Sequence, residues 1–356
     1  MHSSARSIAF FLGSLATCGG TLTAAAQEPV NPASCREIQA EAERLECYDA
    51  AFGKPPEAFL DTPPPVPPAA AVTDKSEAPR SSLISDRWQL DSELKQGSFK
   101  LAPYKPVYIM PVFQASSANV LPATPNPDNS VDGPLNLQDT ETKFQISLKA
   151  KIWENVLGDY SDLWFGYTQS SRWQVYNTEE SRPFRETNYE PELMMAFRTN
   201  YNVFGWTGRL ITVGANHQSN GRERPLSRSW NRFMASVAFE RDDWTVSLRP
   251  WWRMSEDAED DDNRDIQDFM GRGEVMITRT TARQEFSAMF RHSFKDGARS
   301  HGAVQFDWAF PIHGNLKGYL QVFNGYGESL IDYNKSGTYV GLGLSLIEWY
   351  SPGAPK

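Results

Sequence analysis

The sequence lacks any run of eighteen or more apolar residues, which is the length that a helix needs to cross a bilayer. Its mean hydropathy is -0.52, and only 40% of its 356 residues are hydrophobic. Basic residues are also scarce, because 35 Lys and Arg face 44 Asp and Glu and leave a net charge of -9. These deficits argue against a helical membrane protein. Without a basic surplus to neutralise phosphates, we also expect no nucleic-acid partner.

Aromatic residues, by contrast, are plentiful. They make up 12% of the chain, with 11 Trp, 13 Tyr and 20 Phe. Many aromatics at a low mean hydropathy suit strands that turn one face to lipid and the other to water. The composition therefore favours a protein that meets a membrane with strands rather than helices.

Residues 1–26 have the features of a secretory signal peptide. A weakly positive start and a short apolar core at 8–15 precede three alanines at 24–26, which form an A-x-A cleavage pattern. A lipoprotein signal ending at Cys18 is the alternative, although Thr17 fits poorly before a lipidated cysteine. We expect cleavage after the alanines, and hence an exported protein.

Cleavage would leave two of the three cysteines, Cys35 and Cys47, and an oxidising compartment makes a disulfide the default. The segment from Ser34 to Glu37 has the pattern of a capping box, and Gly53 would end a helix that began there. Twelve residues of unbroken helix would separate the cysteines by roughly 18 Å, too far for a disulfide. Either the helix breaks into a hairpin, which we favour, or the thiols pair elsewhere.

The N-terminal region therefore divides into two parts. Residues 35–49 resemble a short disulfide module of exported Gram-negative proteins, so we interpret 27–53 as a small disulfide-containing helical module. Eight prolines follow within residues 54–80. Such a composition cannot bury a core, and we predict an extended Pro/Ala-rich linker over 54–97.

From about residue 98 the sequence alternates with a period of two. In 143–152 every even position is apolar and every odd position is polar, the pattern of a strand with one apolar face. Residues 303–310 and 337–349 repeat this pattern. Similar runs, without a helical period between them, bring the total to about twelve strands and lie at 102–114, 161–175, 189–201, 205–219, 229–241, 243–254, 267–279, 283–295 and 315–326.

Two architectures use many antiparallel strands, a soluble sandwich and a membrane barrel. These runs of about ten to thirteen residues are long enough to cross a bilayer at a tilt, whereas sandwich strands are usually shorter. An even number of strands closes without an edge, as lipid requires. We therefore predict an all-β fold, a 12-stranded antiparallel transmembrane β-barrel over 98–350, with a C-terminal tail at 351–356.

Three polar residues share the apolar face of two neighbouring strands. His217 and Ser219 have the parity of the apolar positions before them, and Asn231 has the apolar parity of the next strand. Pairing Ala215 with Phe233 would set His217 opposite Asn231. A hydroxyl, an imidazole and an amide so placed can act as nucleophile, general base and orienting group. Parity alone also admits ordinary polar residues near lipid headgroups.

Four blocks of sequence resemble the outer-membrane phospholipase A family, in the family's order. The block at 214–232 resembles its active-site hairpin, and 167–169, 179–191 and 325–334 fit as well. The resemblance runs from about residue 100 to 350 and does not cover 27–97. It implies a 12-stranded barrel with a Ser-His-Asn triad on its outer surface, dependence on calcium (Ca2+), and activity as a homodimer.

The resemblance also implies a role for each residue that matches the family's motif. Ser219 would be the nucleophile, His217 the base and Asn231 the orienting residue. The backbone N–H of Gly221 would serve the oxyanion. Gln169 matches a polar residue of the family's dimer interface.

The implied calcium ligands are oxygen atoms, which suit that ion. In the dimer they would be the carbonyl and hydroxyl oxygens of Arg222 and Ser227, together with Ser181 of the partner subunit. Asp262 aligns loosely with a calcium ligand of the family's monomeric form. Arg224 is a departure, because the family often has an acidic residue there, and this puts calcium affinity in question.

Residues 256–262 hold six acids in seven, which predicts either a solvated loop or a loop that binds calcium or bridges to lipopolysaccharide. Taken together, the resemblance implies an outer-membrane phospholipase of a Gram-negative bacterium. It would hydrolyse acyl esters of phospholipids and lysophospholipids, with A1 and A2 activity. The alternative is a passive barrel, a small channel or an anchor, in which the parity of the three polar residues has no meaning.

Overall fold

The structure is a computed structural model that describes residues 31–53, 82–314 and 316–350. It divides the chain into two units, with 31–53 in the first and the residues from 82 onward in the second. The predicted signal peptide at 1–26, most of the predicted linker and the tail at 351–356 lie outside the described residues. No helix in the described ranges is long and apolar enough to cross a membrane.

The first unit is a disulfide-linked helical hairpin. A 3-10 helix at Ser34–Glu37 and helix α1 at Glu41–Phe52 are separated by Ile38, which has an extended backbone. This break lets Cys35 and Cys47 form a disulfide with 5.6 Å between their Cα atoms. The predicted capping box at Ser34 is wrong, because the N-cap position is Ala33 and no side chain caps the helix.

The second unit consists mainly of strands, which form one antiparallel sheet. Its long strands follow from the alternation of apolar and polar residues that begins near residue 98. Within the described residues the strands are β1 Leu101–Pro103, β2 Val107–Ala115, β3 Thr140–Trp153, β4 Ser161–Trp173, β5 Phe184–Val203, β6 Trp206–Ser219, β7 Ser229–Arg241, β8 Trp244–Arg253, β9 Gly273–Thr280, β10 Glu285–His292, β11 Gly302–His313, β12 Leu316–Tyr326 and β13 Ser336–Ile347.

The sheet closes on itself as a barrel of twelve strand positions. Strands β1 and β2 both pair with β3, at 148–150 and 140–145, and so occupy one position. Each later strand pairs with the next, β13 pairs with β2, and β3 pairs with β4. The predicted 12-stranded antiparallel barrel is confirmed, and the sandwich alternative is wrong.

The barrel wall is apolar outside and polar inside, as expected for a protein surrounded by lipid. On β3, Ile146 points outward and is 47% exposed, whereas Ser147, Lys149 and Lys151 point inward and are at most 2% exposed. Many buried charges inside the barrel are paired, because an isolated buried charge costs several kcal/mol. One such group places Glu328 against the inward-pointing side chains of Lys143 on β3 and Arg172 on β4. Lys149 differs, since among the described residues its Nζ atom has no hydrogen-bond partner and lies 3.3 Å from the centre of the Trp88 ring.

The connections differ in length at the two ends of the barrel. Those at one end span two to seven residues, at 154–160, 204–205, 242–243, 281–284 and 314–315. Those at the other are longer, at 116–139, 174–183, 220–228, 254–272, 293–301 and 327–335. Outer-membrane barrels have short periplasmic turns and longer extracellular loops, so the long loops mark the extracellular end.

Three short helices of the described chain lie in the long loops. A 3-10 turn lies at Pro127–Asn129 and another at Gly297–Arg299. Helix α3 at Ile266–Met270 lies in the loop between β8 and β9 and buries Ile266 and Met270. The strand predicted to begin at 267 therefore begins at Gly273, since the apolar residues before it belong to this helix.

The barrel unit begins earlier than predicted. Residues 82–97, assigned above to the linker, contain helix α2 at Leu83–Trp88 and a 3-10 turn at Ser92–Leu94. Ile84, Trp88 and Leu90 are buried against Tyr104 and other residues of the barrel. The linker predicted over 54–97 is wrong in this part, because three large apolar side chains outweigh a polar local composition.

Candidate active site

The first feature of the site is the hairpin formed by β6 and β7. The two strands pair so that Ala215 lies opposite Phe233 and His217 lies opposite Asn231, as the parity argument predicted. The Nδ1 atom of His217 and the Oδ1 atom of Asn231 are 2.8 Å apart, within hydrogen-bonding distance. The hairpin thus brings an imidazole and an amide into contact.

This pair lies on the outer face of the barrel, near its extracellular end. His217 is exposed and Asn231 is half-buried, whereas their neighbours Asn216 and Arg232 are 3% and 5% exposed and point inward. Arg232 donates to the Oδ1 atom of Asn216 inside the barrel, which fixes the direction of the alternation. The pair therefore faces lipid or headgroups rather than the barrel interior.

Ser219 is the last residue of β6 and lies on the same face, two residues after His217. It is half-buried between Tyr189 of β5 and Ser229 of β7, its partners in the sheet. Within the described ranges its hydroxyl has no hydrogen-bond partner. Side chains two apart on a strand share one face, so the hydroxyl lies on the same face as the imidazole. The two side chains form no hydrogen bond in the described part of the chain.

The Asn231 amide has a second partner. Its Nδ2 atom donates to the Oε1 atom of Glu256 at 3.0 Å. The backbone carbonyl of Asn231 also accepts from the N–H of Met254 at 2.8 Å, so the loop that follows β8 begins beside this residue. Both ends of the amide are therefore held, one by a ring nitrogen and the other by a carboxylate.

The loop at 220–228 is braced by the buried side chain of Asn220. Its Oδ1 atom accepts from the N–H groups of Arg222 and Arg228, and its Nδ2 atom donates to the carbonyl of Leu226. The next residue, Gly221, has a φ of +60°, which L side chains rarely adopt. The predicted oxyanion donor therefore occupies a braced turn two residues after Ser219.

Two of the four predicted metal ligands are in contact. The hydroxyl of Ser227 donates to the Oδ2 atom of Asp262 at 2.5 Å. The amide of Asn129 donates to the other Asp262 oxygen and to the Ser227 carbonyl, both at 3.0 Å. The Oδ1 atom of Asn129 is buried and, among the described residues, has no hydrogen-bond partner. Hydroxyl, carboxylate and amide oxygens together form a donor set of the type that calcium prefers.

Cationic side chains border this oxygen cluster. The Nε atom of Arg224 is 3.9 Å from Asp262, and its Nη1 atom is 3.4 Å from Asp128. Arg228 is fully buried and donates to the carbonyls of Ser227 and Asn129. Burial lowers the pKa of Arg228, although nearby acids counteract this. Two guanidinium groups near the cluster oppose the binding of a further cation.

The other two predicted ligands lie elsewhere in the extracellular loops. Ser181 lies in the loop before β5, where its N–H donates to Thr178. Arg222 donates from Nη1 to the carbonyl of Phe184. In the described chain neither residue forms a hydrogen bond with Ser227 or Asp262, and no group of three or more His, Cys, Asp or Glu is placed to hold a metal.

Comparison with known proteins identifies the family. A family model described as Phospholipase A1 matches residues 84–346, about three-quarters of the chain. The chain belongs to the phospholipase A1 family. Phospholipase A1 of Escherichia coli K12 is 39% identical over 283 residues, which are 79% of this chain and 92% of that protein.

Solved structures of the phospholipase A1 family match the barrel as well. A Salmonella typhi outer membrane phospholipase dimer with bound calcium has a TM-score of 0.65 at 36% identity, over 75% of this chain and 98% of that chain. An asparagine-to-alanine active-site mutant of Escherichia coli outer membrane phospholipase A has a TM-score of 0.66 at 37% identity. The match covers 77% of this chain and 100% of that chain.

Membership of the phospholipase A1 family confirms three predictions from the sequence. The resemblance itself is correct, the fold is a 12-stranded barrel, and the chain is a protein of the Gram-negative outer membrane. Sequence reasoning missed Asn129, Asn220 and Glu256. Only Glu256 carried a signal, as the first of the six acids at 256–262, and nothing in that run indicated which acid would contact the pair.

Proposed function

We propose that the protein hydrolyses acyl ester bonds of phospholipids and lysophospholipids with a Ser-His-Asn triad. The observation that carries the proposal is the 2.8 Å contact of His217 with Asn231 on the lipid-facing side of the barrel. Polar groups on this face cost free energy, so their pairing there calls for a use. Relatives of the chain are named Phospholipase A1, and phospholipid is the material that would surround this face in an outer membrane.

Each residue of the triad has a separate part in the reaction. The Asn231 oxygen accepts the Nδ1–H of His217, which leaves Nε2 free to take a proton. Ser219 attacks the ester carbonyl as Nε2 removes its hydrogen, and the Gly221 N–H donates to the developing oxyanion. His217 then protonates the departing alcohol, and an acyl group remains on Ser219.

Water completes the cycle by the same route. His217 removes a proton from water, which attacks the acyl-enzyme, and then returns that proton to the Ser219 oxygen as the fatty acid is released. The other product is a lysophospholipid, or a deacylated glycerophosphodiester when the substrate has a single chain. Because the site opens at the barrel surface, esters at either glycerol position can approach Ser219, consistent with both A1 and A2 activity.

Calcium would be held by the oxygen atoms of Arg222 and Ser227, with Ser181 of the partner subunit. When bound, it supplies positive charge beside the oxyanion. The orphaned Asn129 oxygen and the Asp262 carboxylate support a second cation position in the monomer. Arg224 weakens that second position, because its guanidinium already lies beside Asp262.

A homodimer would be the active form. The Salmonella typhi relative is a dimer with bound calcium. On the outer face of β4, the Tyr167 hydroxyl donates to Gln169, and the Gln169 amide donates to Ser171. Such a polar row on a lipid-facing surface gains from a partner that excludes lipid and offers further hydrogen bonds. A dimer along β4 would also bring Ser181 of the partner subunit toward the hairpin.

Replacing the nucleophile tests the proposal. Ser219→Ala should abolish calcium-dependent hydrolysis in detergent micelles and labelling by a fluorophosphonate probe. The matched control is Ser236→Ala, because Ser236 lies on the same hairpin opposite the inward-pointing Thr212. Retained turnover in Ser219→Ala would refute the assignment. Conductance without hydrolysis or labelling in the unmodified protein would instead favour the passive barrel.

A further inference from the structure

An asparagine in a catalytic triad presents a problem of orientation. The two ends of its amide differ, because one is an acceptor and the other a donor. Only the oxygen can accept the Nδ1–H of a histidine. If Asn231 turned its amide by 180°, a donor would face a donor and His217 would lose its support. Something must therefore hold the amide in one of its two orientations.

Glu256 meets this requirement. The Asn231 nitrogen donates to its carboxylate at 3.0 Å, while the Asn231 oxygen faces His217 at 2.8 Å. In the reversed amide the oxygen would face a carboxylate, which can only accept when ionised. Both contacts therefore favour the same orientation, and each reinforces the other.

The loop keeps Glu256 in this position. The bond from Met254 N–H to the Asn231 carbonyl fixes the start of the loop, and the Arg253 guanidinium bonds to Asp261, farther along the loop, at 2.7 Å. Glu256 is half-buried, whereas Asp257, Glu259 and Asp260 are exposed. The Glu256 carboxylate is thus turned to the His217–Asn231 pair, whereas these three neighbouring acids remain in solvent.

Glu256 also brings a negative charge to the pair. In Ser-His-Asp triads the aspartate both orients the histidine and stabilises its protonated form. Asn231 is neutral and supplies orientation alone. A carboxylate bonded to the far end of the amide polarises it and favours the imidazolium that forms when Ser219 attacks.

Other charged groups around the pair are already committed elsewhere. From β7 and β8, Arg232 bonds to Asn216 inside the barrel and Arg253 bonds to Asp261. From the loop at 220–228, Arg222 donates to the Phe184 carbonyl. The titratable neighbour from β5 is Tyr189, which lies opposite Ser219. Glu256 is therefore the acid in direct contact with the triad's amide.

We propose that Glu256 is a positioning residue for the triad, which fixes the Asn231 amide and adds negative charge behind His217. This inference rests on the proposed function and deepens it by adding a fourth member to the hydrogen-bonded chain. It also gives part of the acidic run at 256–262 a role that does not involve a metal.

Three variants separate the hydrogen bond from the charge. Glu256→Ala removes both, and we expect kcat to fall about tenfold with KM within about twofold. Glu256→Gln keeps an acceptor for Asn231 but removes the charge, so most activity should remain at alkaline pH. The acidic limb of the pH–rate profile of Glu256→Gln should move to lower pH by about half a unit. The reason is that the protonated His217 imidazole loses a nearby negative charge. Glu259→Gln is the control, with the same change of charge on an exposed side chain.

The measurements are steady-state hydrolysis in detergent micelles against pH, and the rate of fluorophosphonate labelling of Ser219. Retained barrel structure is checked by circular dichroism. Wild-type behaviour of Glu256→Ala, an unmoved pH profile in Glu256→Gln, or an equal shift in Glu259→Gln would each overturn the inference. If Ser219→Ala is inactive while both Glu256 variants behave as wild type, the role of Glu256 is refuted and the proposed function stands. Turnover retained by Ser219→Ala would instead refute the proposed function itself.

Discussion

Removing the carboxylate of Glu328 should destabilise the barrel more than any exposed substitution. Its side chain is 1% exposed and lies in the extracellular loop after β12, at the top of the barrel interior. Arg172 donates to it from Nε at 3.1 Å and Nη2 at 2.7 Å, and the Lys143 Nζ atom lies at 2.7 Å. Glu328→Gln would leave two buried cations against a neutral amide. Breaking a buried ion pair on one side costs about 3–5 kcal/mol, and we expect about 3 because glutamine still accepts hydrogen bonds.

The loss of stability in Glu328→Gln should be largest at neutral pH and smaller at acidic pH. Burial alone would raise the pKa of Glu328, but Arg172 and Lys143 outweigh it and hold that pKa well below its ordinary value. The unfolded chain would bind a proton at about pH 4.3 and the folded one only at lower pH. Stability from the carboxylate is therefore complete at neutral pH and is lost as the pH falls below that value. The difference between wild type and variant should shrink accordingly.

Urea titration in detergent micelles, followed by tryptophan fluorescence, measures both effects. Glu223→Gln is the matched control, since Glu223 is an exposed acid in another extracellular loop. A difference below about 1 kcal/mol at neutral pH, the scale of a surface ion pair, would refute the reasoning. So would a difference that stays constant down to about pH 3.

Three further predictions concern the site and the wall beside it. Asn231→Ala should lower kcat about a hundredfold with little change in KM in micelle assays, since His217 loses its orienting oxygen; an unchanged kcat would contradict this. Gly214→Ala would place a Cβ 2.1 Å from the Leu193 carbonyl oxygen, and should cost about 2 kcal/mol in urea titrations, whereas Gly133→Ala, with open space around it, should cost nothing measurable. Removal of calcium by a chelator should stop turnover, and added calcium should restore it; hydrolysis that persists in chelator would exclude the calcium requirement.

Much of the fold could be predicted because lipid imposes a strict pattern on strands. Alternation in 143–152 predicts which side chains of β3 face outward, and Ile146 and Lys149 occupy the predicted faces. The pattern fails where residues are buried for other reasons. The segment at 82–97 has no alternation, yet Ile84 and Trp88 pack into the barrel unit, and helix α3 buries apolar residues within a loop.

The candidate site, like the fold, could be predicted from the sequence only in part. His217 and Asn231 could be placed opposite each other because both lie on paired strands, where parity and loop length determine the partners. Glu256 and Asn129 belong to loops, and loop conformation depends on long-range contacts that no local pattern encodes. The roles of Ser181 and Asp262 as metal ligands remain predictions. Of that set, Ser227 and Asp262 share a hydrogen bond, whereas the Arg222 guanidinium bonds to the Phe184 carbonyl.

The arrangement of the hairpin has a consequence for the cell that makes the protein. His217 and Asn231 belong to different strands and meet only when β6 and β7 are paired. If this pair is catalytic as proposed, a chain in transit through the envelope carries no assembled catalytic group, and a pairing slipped by one residue would turn one member of the pair inward. Under the proposed function, a hydrolase of membrane lipids would thus stay inactive until its strands are fully and correctly paired, without a separate inhibitor during export.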